Sequence, residues 1–147
     1  TEVLTTLSRK QKEVKEYMAS SCETLDKVKE AAELYEGVME LETDVYKREE
    51  LYKKIAMLYE SCEEKDMALD TCVQGIEELE DSVELRLLHI RLICKDSSVD
   101  RSFCAQTVQE YMRKVPEILE NEEFQKLQQE YEIRIEGEEV WVGNSNG

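Results

Sequence analysis

Few residues in this chain could do chemistry, and the first to consider is a lone histidine. His89 stands inside an apolar run from Val83 to Ile93. Carboxylate-bridged di-iron sites take Glu-x-x-His from two helices, yet the residue three before His89 is Arg86 and no second histidine exists. A zinc centre built on histidine fails on the same shortage. Without a Gly-rich nucleophile turn, a Ser-His-Asp or Cys-His arrangement has no recognisable signature, so His89 is expected to be a satisfied structural histidine. Cys22, Cys62, Cys72, Cys94 and Cys104 are never closer than ten residues, which leaves no Cys-x-x-Cys pair for metal or thiol exchange. They are expected to be reduced core thiols, as in a cytoplasmic protein. Neither G-x-G-x-x-G nor G-x-x-x-x-G-K occurs, so nucleotide-dependent catalysis lacks its usual loop. Glu63-Glu64, Glu77-Glu78 and Glu122-Glu123 follow from sheer carboxylate abundance and are expected to be solvated faces. No catalytic, cofactor-binding or metal residue is assigned, and the expectation is a protein that is not an enzyme.

The charge balance narrows the partners. Lys and Arg total 19 against 35 Asp and Glu, a formal charge of −16. Such a field repels phosphate backbones and anionic lipid, so neither nucleic acid nor a membrane surface is expected as partner. No apolar run reaches 18 residues, and no basic start precedes an apolar stretch, so neither a spanning segment nor a signal peptide is expected. The opening at Thr1 without a methionine suggests an excised piece of a longer protein.

With 147 residues and 41% hydrophobic content the chain can bury one real core. One proline and five glycines are too few for a turn-rich β protein, while Glu, Lys, Leu, Met and Ala are helix residues, so the class is mainly α. Between Leu51 and Leu79, Tyr52, Ile55, Ala56, Tyr59 and Cys62 recur at steps of three and four, as do Leu69, Cys72, Val73, Ile76 and Leu79. The charged stretch from Glu63 to Asp66 between them predicts a reversal, with Asp66 as N-cap of the return helix. A similar pair precedes it: residues 3–22 with the stripe Leu7, Val14, Met18 and Cys22 beside Tyr17, then a helix to about Glu42 carrying Val28, Ala31, Leu34, Tyr35, Val38 and Leu41. An offset of 37 lays Met18 on Ile55, Ala19 on Ala56, Cys22 on Tyr59, Ala31 on Ala68 and Tyr35 on Cys72. Gly37 and Gly75 fall inside helices, where glycine costs about 1 kcal/mol against alanine, so close helix packing is expected there.

Asp81-Ser82-Val83-Glu84 has the form of a capping box, predicting a fifth helix with Asp81 as N-cap, apolar on most sides. Ser98 and Asp100 are cap candidates for a sixth helix bearing Cys104, Val108, Tyr111, Met112 and Val115. Pro116 ends or kinks it, and Asn121 can cap a seventh with Phe124, Leu127 and Tyr131. The period then changes to two: Tyr131, Ile133 and Ile135 alternate with charges before Glu136-Gly137, and Val140-Trp141-Val142 follows, predicting a β-hairpin. With Glu136 and Gly137 as the loop, Ile133 would face Val140, Tyr131 would face Val142 and Arg134 would pair with Glu139; the neighbouring register is disfavoured because it sets Glu136 opposite Glu139.

Tyr52, Ile55, Ala56, Tyr59 and Ala68 fall on the aromatic, leucine, small, tyrosine and small spacing of the tetratricopeptide (TPR) repeat, which this chain resembles. Cys72 departs from it where an aromatic is usual, and no proline closes the unit. The resemblance implies stacked antiparallel αα-hairpins, about three, over residues 1–131, the last helix covering the array's end. A β-hairpin at 132–143 and a flexible tail at 144–147 would follow. In TPR proteins the first helices of successive hairpins line a concave groove for an extended peptide. Carried over, that face implies Glu13, Glu16, Ser20, Glu50, Lys53, Met57, Glu60, Leu87 and Arg91 as partner-binding residues. Glu16 and Ser20 stand where chaperone-binding members carry Lys and Asn, so acidic chaperone tails are not expected. The expected function is a protein-interaction or scaffold module for a basic or amphipathic peptide. The alternative is a structural spacer or self-association element, for which the C-terminal hairpin offers one surface.

Overall fold

The computed structural model describes residues 1–143; the expected tail at 144–147 lies outside them. Among the described residues there are seven α-helices, one 3₁₀ turn and a two-stranded antiparallel hairpin, so the protein is mainly α with packed helix pairs. The chain divides into two compact units, Thr1–Leu79 and Glu80 onward.

The first unit holds α1 (Glu2–Thr24), α2 (Val28–Leu41), α3 (Val45–Ser61) and α4 (Lys65–Glu78). Its two hairpins repeat at 37 residues in geometry as well as in sequence. The ends Thr24 and Ser61 correspond, as do the starts Val28 and Lys65. Each reversal passes through a non-glycine residue in the left-handed region, Asp26 at φ 61° and Glu63 at φ 64°. The turns close by equivalent bonds: the Lys27 N–H donates to the Cys22 carbonyl at 2.8 Å, and the Glu64 N–H to the Tyr59 carbonyl at 2.9 Å. These bonds satisfy carbonyls that a helix end would otherwise leave open. Asp66 is therefore not the N-cap of α4. The turn at Glu63 has already reversed the chain, and the helix starts at Lys65 with Asp66 in its first turn. Small residues meet at the heart of each pair: Ala19, Ala31, Ala32, Ala56 and Ala68 are all sealed from solvent, allowing the helix axes to approach closely.

The stripe of α1 behaves differently from its prediction. Ala19 is the only buried residue of α1, while Leu7, Val14 and Met18 remain 54%, 58% and 47% exposed. Periodicity had marked an apolar face, but the hairpin closes on Ala19 and on polar links, Lys12 to Glu42 at 3.3 Å and Tyr35 Oη to Glu23 at 2.5 Å.

Arg48 ties three helices of this unit together. Its Nη1 donates to the carbonyls of Met39 and Glu42 at 2.6 and 2.8 Å, closing the C-terminus of α2. Its Nε and Nη2 donate to the two carboxylate oxygens of Glu78 on α4 at 2.6 and 2.7 Å. Glu42 is buried and accepts from the N–H groups of Thr43 and Asp44, both at 3.1 Å. Burial alone would raise its pKa, but these donors and Lys12 outweigh it and hold the carboxyl below the usual range.

The second unit contains α5 (Val83–Lys95), α6 (Arg101–Lys114), a 3₁₀ turn (Pro116–Glu120), α7 (Glu122–Tyr131), β1 (Ile133–Glu136) and β2 (Glu139–Val142). α5 is buried on most sides, with nine buried residues. Its N-cap is Ser82, not Asp81: the Leu85 N–H donates to Ser82 Oγ at 3.1 Å. That shift of one residue puts Leu85, not Glu84, at the third helical position, so no capping box can close. Asp100 and Asn121 do cap α6 and α7, while Ser98 turns back onto Asp96 instead. Arg101 closes the end of α5 as Arg48 closes α2, donating to the carbonyls of Cys94 and Asp96 at 3.0 and 2.8 Å.

The β-hairpin takes the register that like-charge repulsion seemed to exclude. Ile133 faces Val142, Arg134 faces Trp141, Ile135 faces Val140 and Glu136 faces Glu139. The loop is Gly137-Glu138, because Gly137 supplies a φ of +62° at the first loop position, which suits glycine and strains other residues. Both isoleucines then pair with valines on one face, and Arg134 lies 5.8 Å from the Trp141 ring on the other. Solvent at the exposed Glu136 and Glu139 makes the charge contact tolerable. The hairpin packs on α6, with Gln109 Nε2 donating to the Glu138 carbonyl at 2.6 Å.

Candidate functional site

Within the first unit, α3 forms the floor of a groove walled by α2 and α4, enclosing about 370 Å³. Tyr52, Ile55 and Tyr59 of α3 are buried in it, α2 contributes Met39 with the exposed Glu36 and Glu40, and α4 contributes Met67 and Thr71 with the exposed Asp70 and Gln74. No lysine or arginine is among the lining residues. The floor is fixed by its hydroxyls: Tyr52 Oη donates to Glu78 at 2.6 Å and Tyr59 Oη to Glu36. Burial first and the adjoining carboxylates second push both phenols above their usual pKa, so neither supplies a proton acceptor near neutrality. Glu78 is drawn down to about 2, chiefly by its bond to Arg48; burial opposes this, and the Tyr52 hydroxyl adds to the lowering. The groove thus sets two methionines, Ile55 and two tyrosine rings together with three carboxylate side chains. It offers adaptable packing from two thioethers and charge attraction from three carboxylates.

The nine residues implied by the family resemblance lie elsewhere. Glu13, Glu16 and Ser20 are exposed on α1; Glu50 and Met57 are exposed on α3, with Lys53 and Glu60 half-buried beside them. Glu50 and Lys53 form an ion pair at 3.6 Å. Leu87 is buried and Arg91 half-buried on α5, in the second unit. None of the nine lines the groove.

His89 is buried, its Nδ1 2.7 Å from Tyr111 Oη, and burial pushes its pKa down to about 4. At neutral pH it is an uncharged ring held by a phenol. All five cysteines are free thiols. Cys94 and Cys104 lie against each other, and the neighbouring thiol together with burial pushes Cys94 up, so it stays protonated.

Among the described residues no helix is long and apolar enough to cross a membrane. No family model matches the chain, and neither the curated proteins nor the solved structures contain a match.

Sequence reasoning passed over the groove because its acidic residues sit on two helices 30 or more positions apart. The usable signal was the pair Glu36 and Glu40, one turn apart on α2 beside Met39, with Met67 and Asp70 in the same relation on α4.

Proposed function

We propose that this chain is a noncatalytic protein-interaction module, a TPR-like array of helical hairpins, that binds a basic amphipathic helical segment in the groove between α2, α3 and α4. One observation carries the reading: two methionines and two tyrosines line one groove together with three carboxylates, without a basic residue in the lining. An amphipathic helix would lay its apolar face over the groove between Met39 and Met67, while its lysines and arginines meet Glu36, Glu40 and Asp70. The net charge of −16 steers a cationic partner toward the molecule and turns nucleic acid away. The five free thiols support a reducing, cytoplasmic setting.

The test is titration of a labelled Lys/Leu amphipathic helix, followed by fluorescence anisotropy. A scrambled peptide of equal charge but no apolar face serves as the control. Glu40→Lys with Asp70→Lys should weaken binding by about tenfold or more, and rising salt should weaken it further. Equal binding of both peptides, or no response to these substitutions, would refute the groove.

A further inference from the structure

α1 carries a second unpartnered feature, independent of the groove. Val3, Leu4, Leu7, Val14, Tyr17, Met18 and Leu25 are between 47% and 75% exposed. Leu4, Gln11, Met18 and Leu25 recur every seven residues, and Leu7, Val14 and Ser21 repeat the pattern three positions on. That is the a/d seam of a helix that pairs with another helix.

The internal repeat says what such a face is for. At an offset of 37, Val14, Met18 and Ser21 fall on Leu51, Ile55 and Leu58 of α3. α3 packs against α2 as well as α4, and Ile55 is only 2% exposed. In α1 the corresponding side chains are far more open, with Val14 58% and Met18 47% exposed and Ser21 half-buried. Six exposed apolar side chains along a helix about 34 Å long, with Leu25 at its C-cap, present on the order of 700 Å², close to the roughly 800 Å² each partner gives to a stable dimer. It also exceeds the apolar patch a monomer usually shows to water.

We infer that this seam is a homodimer interface, on which α1 of a second copy of this chain lies antiparallel. Charge selects the occupant. The chain as a whole is at −16, yet α1 has four basic residues (Arg9, Lys10, Lys12, Lys15) and four acidic ones (Glu2, Glu13, Glu16, Glu23), so it is the stretch where two copies meet without net repulsion. Charge also selects the direction. A parallel pair sets Lys10 beside Lys15 of the other copy, a like-charge contact. The antiparallel pair, centred between Gln11 and Val14, sets Leu7 on Met18 of the second copy. Lys10 then falls between Glu13 and Tyr17 of the second copy, where it meets a carboxylate and an aromatic face, and two-fold symmetry makes the contact twice.

Sedimentation equilibrium of the full chain from micromolar to millimolar concentration tests this. The expected result is a monomer–dimer equilibrium that Val14→Glu abolishes and Lys10→Glu weakens by about tenfold or more. All the substituted positions are exposed, so unchanged circular dichroism certifies the fold. Lys10→Glu combined with Glu13→Lys should restore the dimer, because the pairs are re-formed with signs exchanged. A strict monomer throughout overturns the inference. So does a dimer indifferent to Val14→Glu, which would place self-association elsewhere, the C-terminal hairpin included. A dimer sensitive to Val14→Glu but not rescued by the charge exchange overturns the antiparallel register.

Discussion

Replacing Arg48 by alanine removes four hydrogen bonds at one point. Two of them close the carbonyls of Met39 and Glu42, and two grip Glu78. A bond from a charged donor to a carbonyl in a half-buried place contributes about 1 kcal/mol after exchange with water, so the two helix-end bonds account for roughly 2 kcal/mol. Glu78 is 36% exposed, and the Arg48 pair is therefore discounted for screening to about 1 kcal/mol. Arg48→Ala should destabilise the first unit by about 3 kcal/mol at neutral pH. The acid dependence separates the two contributions. Glu78 is lowered from 4.5 to about 2, so its contribution is complete above pH 4.5 and lost as the pH falls toward 2. The bonds to Met39 and Glu42 do not titrate. Urea unfolding of wild type and variant should therefore show a gap that narrows from about 3 to about 2 kcal/mol across that window. Arg48→Lys should recover only part of the loss, because an ammonium cannot make the two-pronged bond. A neutral-pH cost under about 1 kcal/mol would refute the idea that Arg48 fastens α2, α3 and α4 together. A gap unchanged by acid would remove Glu78 from the explanation.

Further outcomes follow from the same geometry. His89 titrates at about 4 when folded against 6.5 ordinarily, so its contribution is intact above pH 6.5 and lost as the pH falls toward 4. In urea titrations across that window, His89→Gln should be less acid-sensitive than wild type by an amount on the order of 3 kcal/mol. Gly137→Ala forces an L-residue to φ +62° and should cost about 1 kcal/mol, visible as weakened amide protection in β1 and β2. The nearest atoms to a Cβ at Gly37 belong to the Lys15 side chain, the closest its Nζ at 3.3 Å, and that flexible end can move aside. Gly37→Ala should therefore stabilise the first unit by up to about 0.7 kcal/mol through helix propensity, measured as a higher urea midpoint.

Much of the architecture was legible because local rules and packing agree. The repeat could be read from Ala19, Ala31, Ala56 and Ala68, since only small residues tolerate the closest approach of paired helices. Asp100 and Asn121 announced their helices because an N-cap acts within its own turn. The failures are places where a distant or competing contact decides. Asp66 and Asp81 have good capping chemistry, but the reversal at Glu63 precedes Asp66, and Ser82, directly before Val83, takes the cap from Asp81. In the β-hairpin, the need of Gly137 for positive φ outweighed a solvent-screened contact between two glutamates. Periodicity found the stripe on α1 but says nothing of what covers it. The groove exists only once α2 and α4 flank α3, and its carboxylates look like any solvated face until then.

Amide chemical-shift mapping with the Lys/Leu amphipathic helix addresses the proposed function most directly. Residues of the groove, Met39, Glu40, Ile55, Met67 and Asp70 foremost, should shift together with one affinity that declines as salt rises. Shifts confined to Glu13, Glu16 and Ser20 on α1 and Glu50, Lys53 and Met57 on α3, with the groove silent, would contradict it.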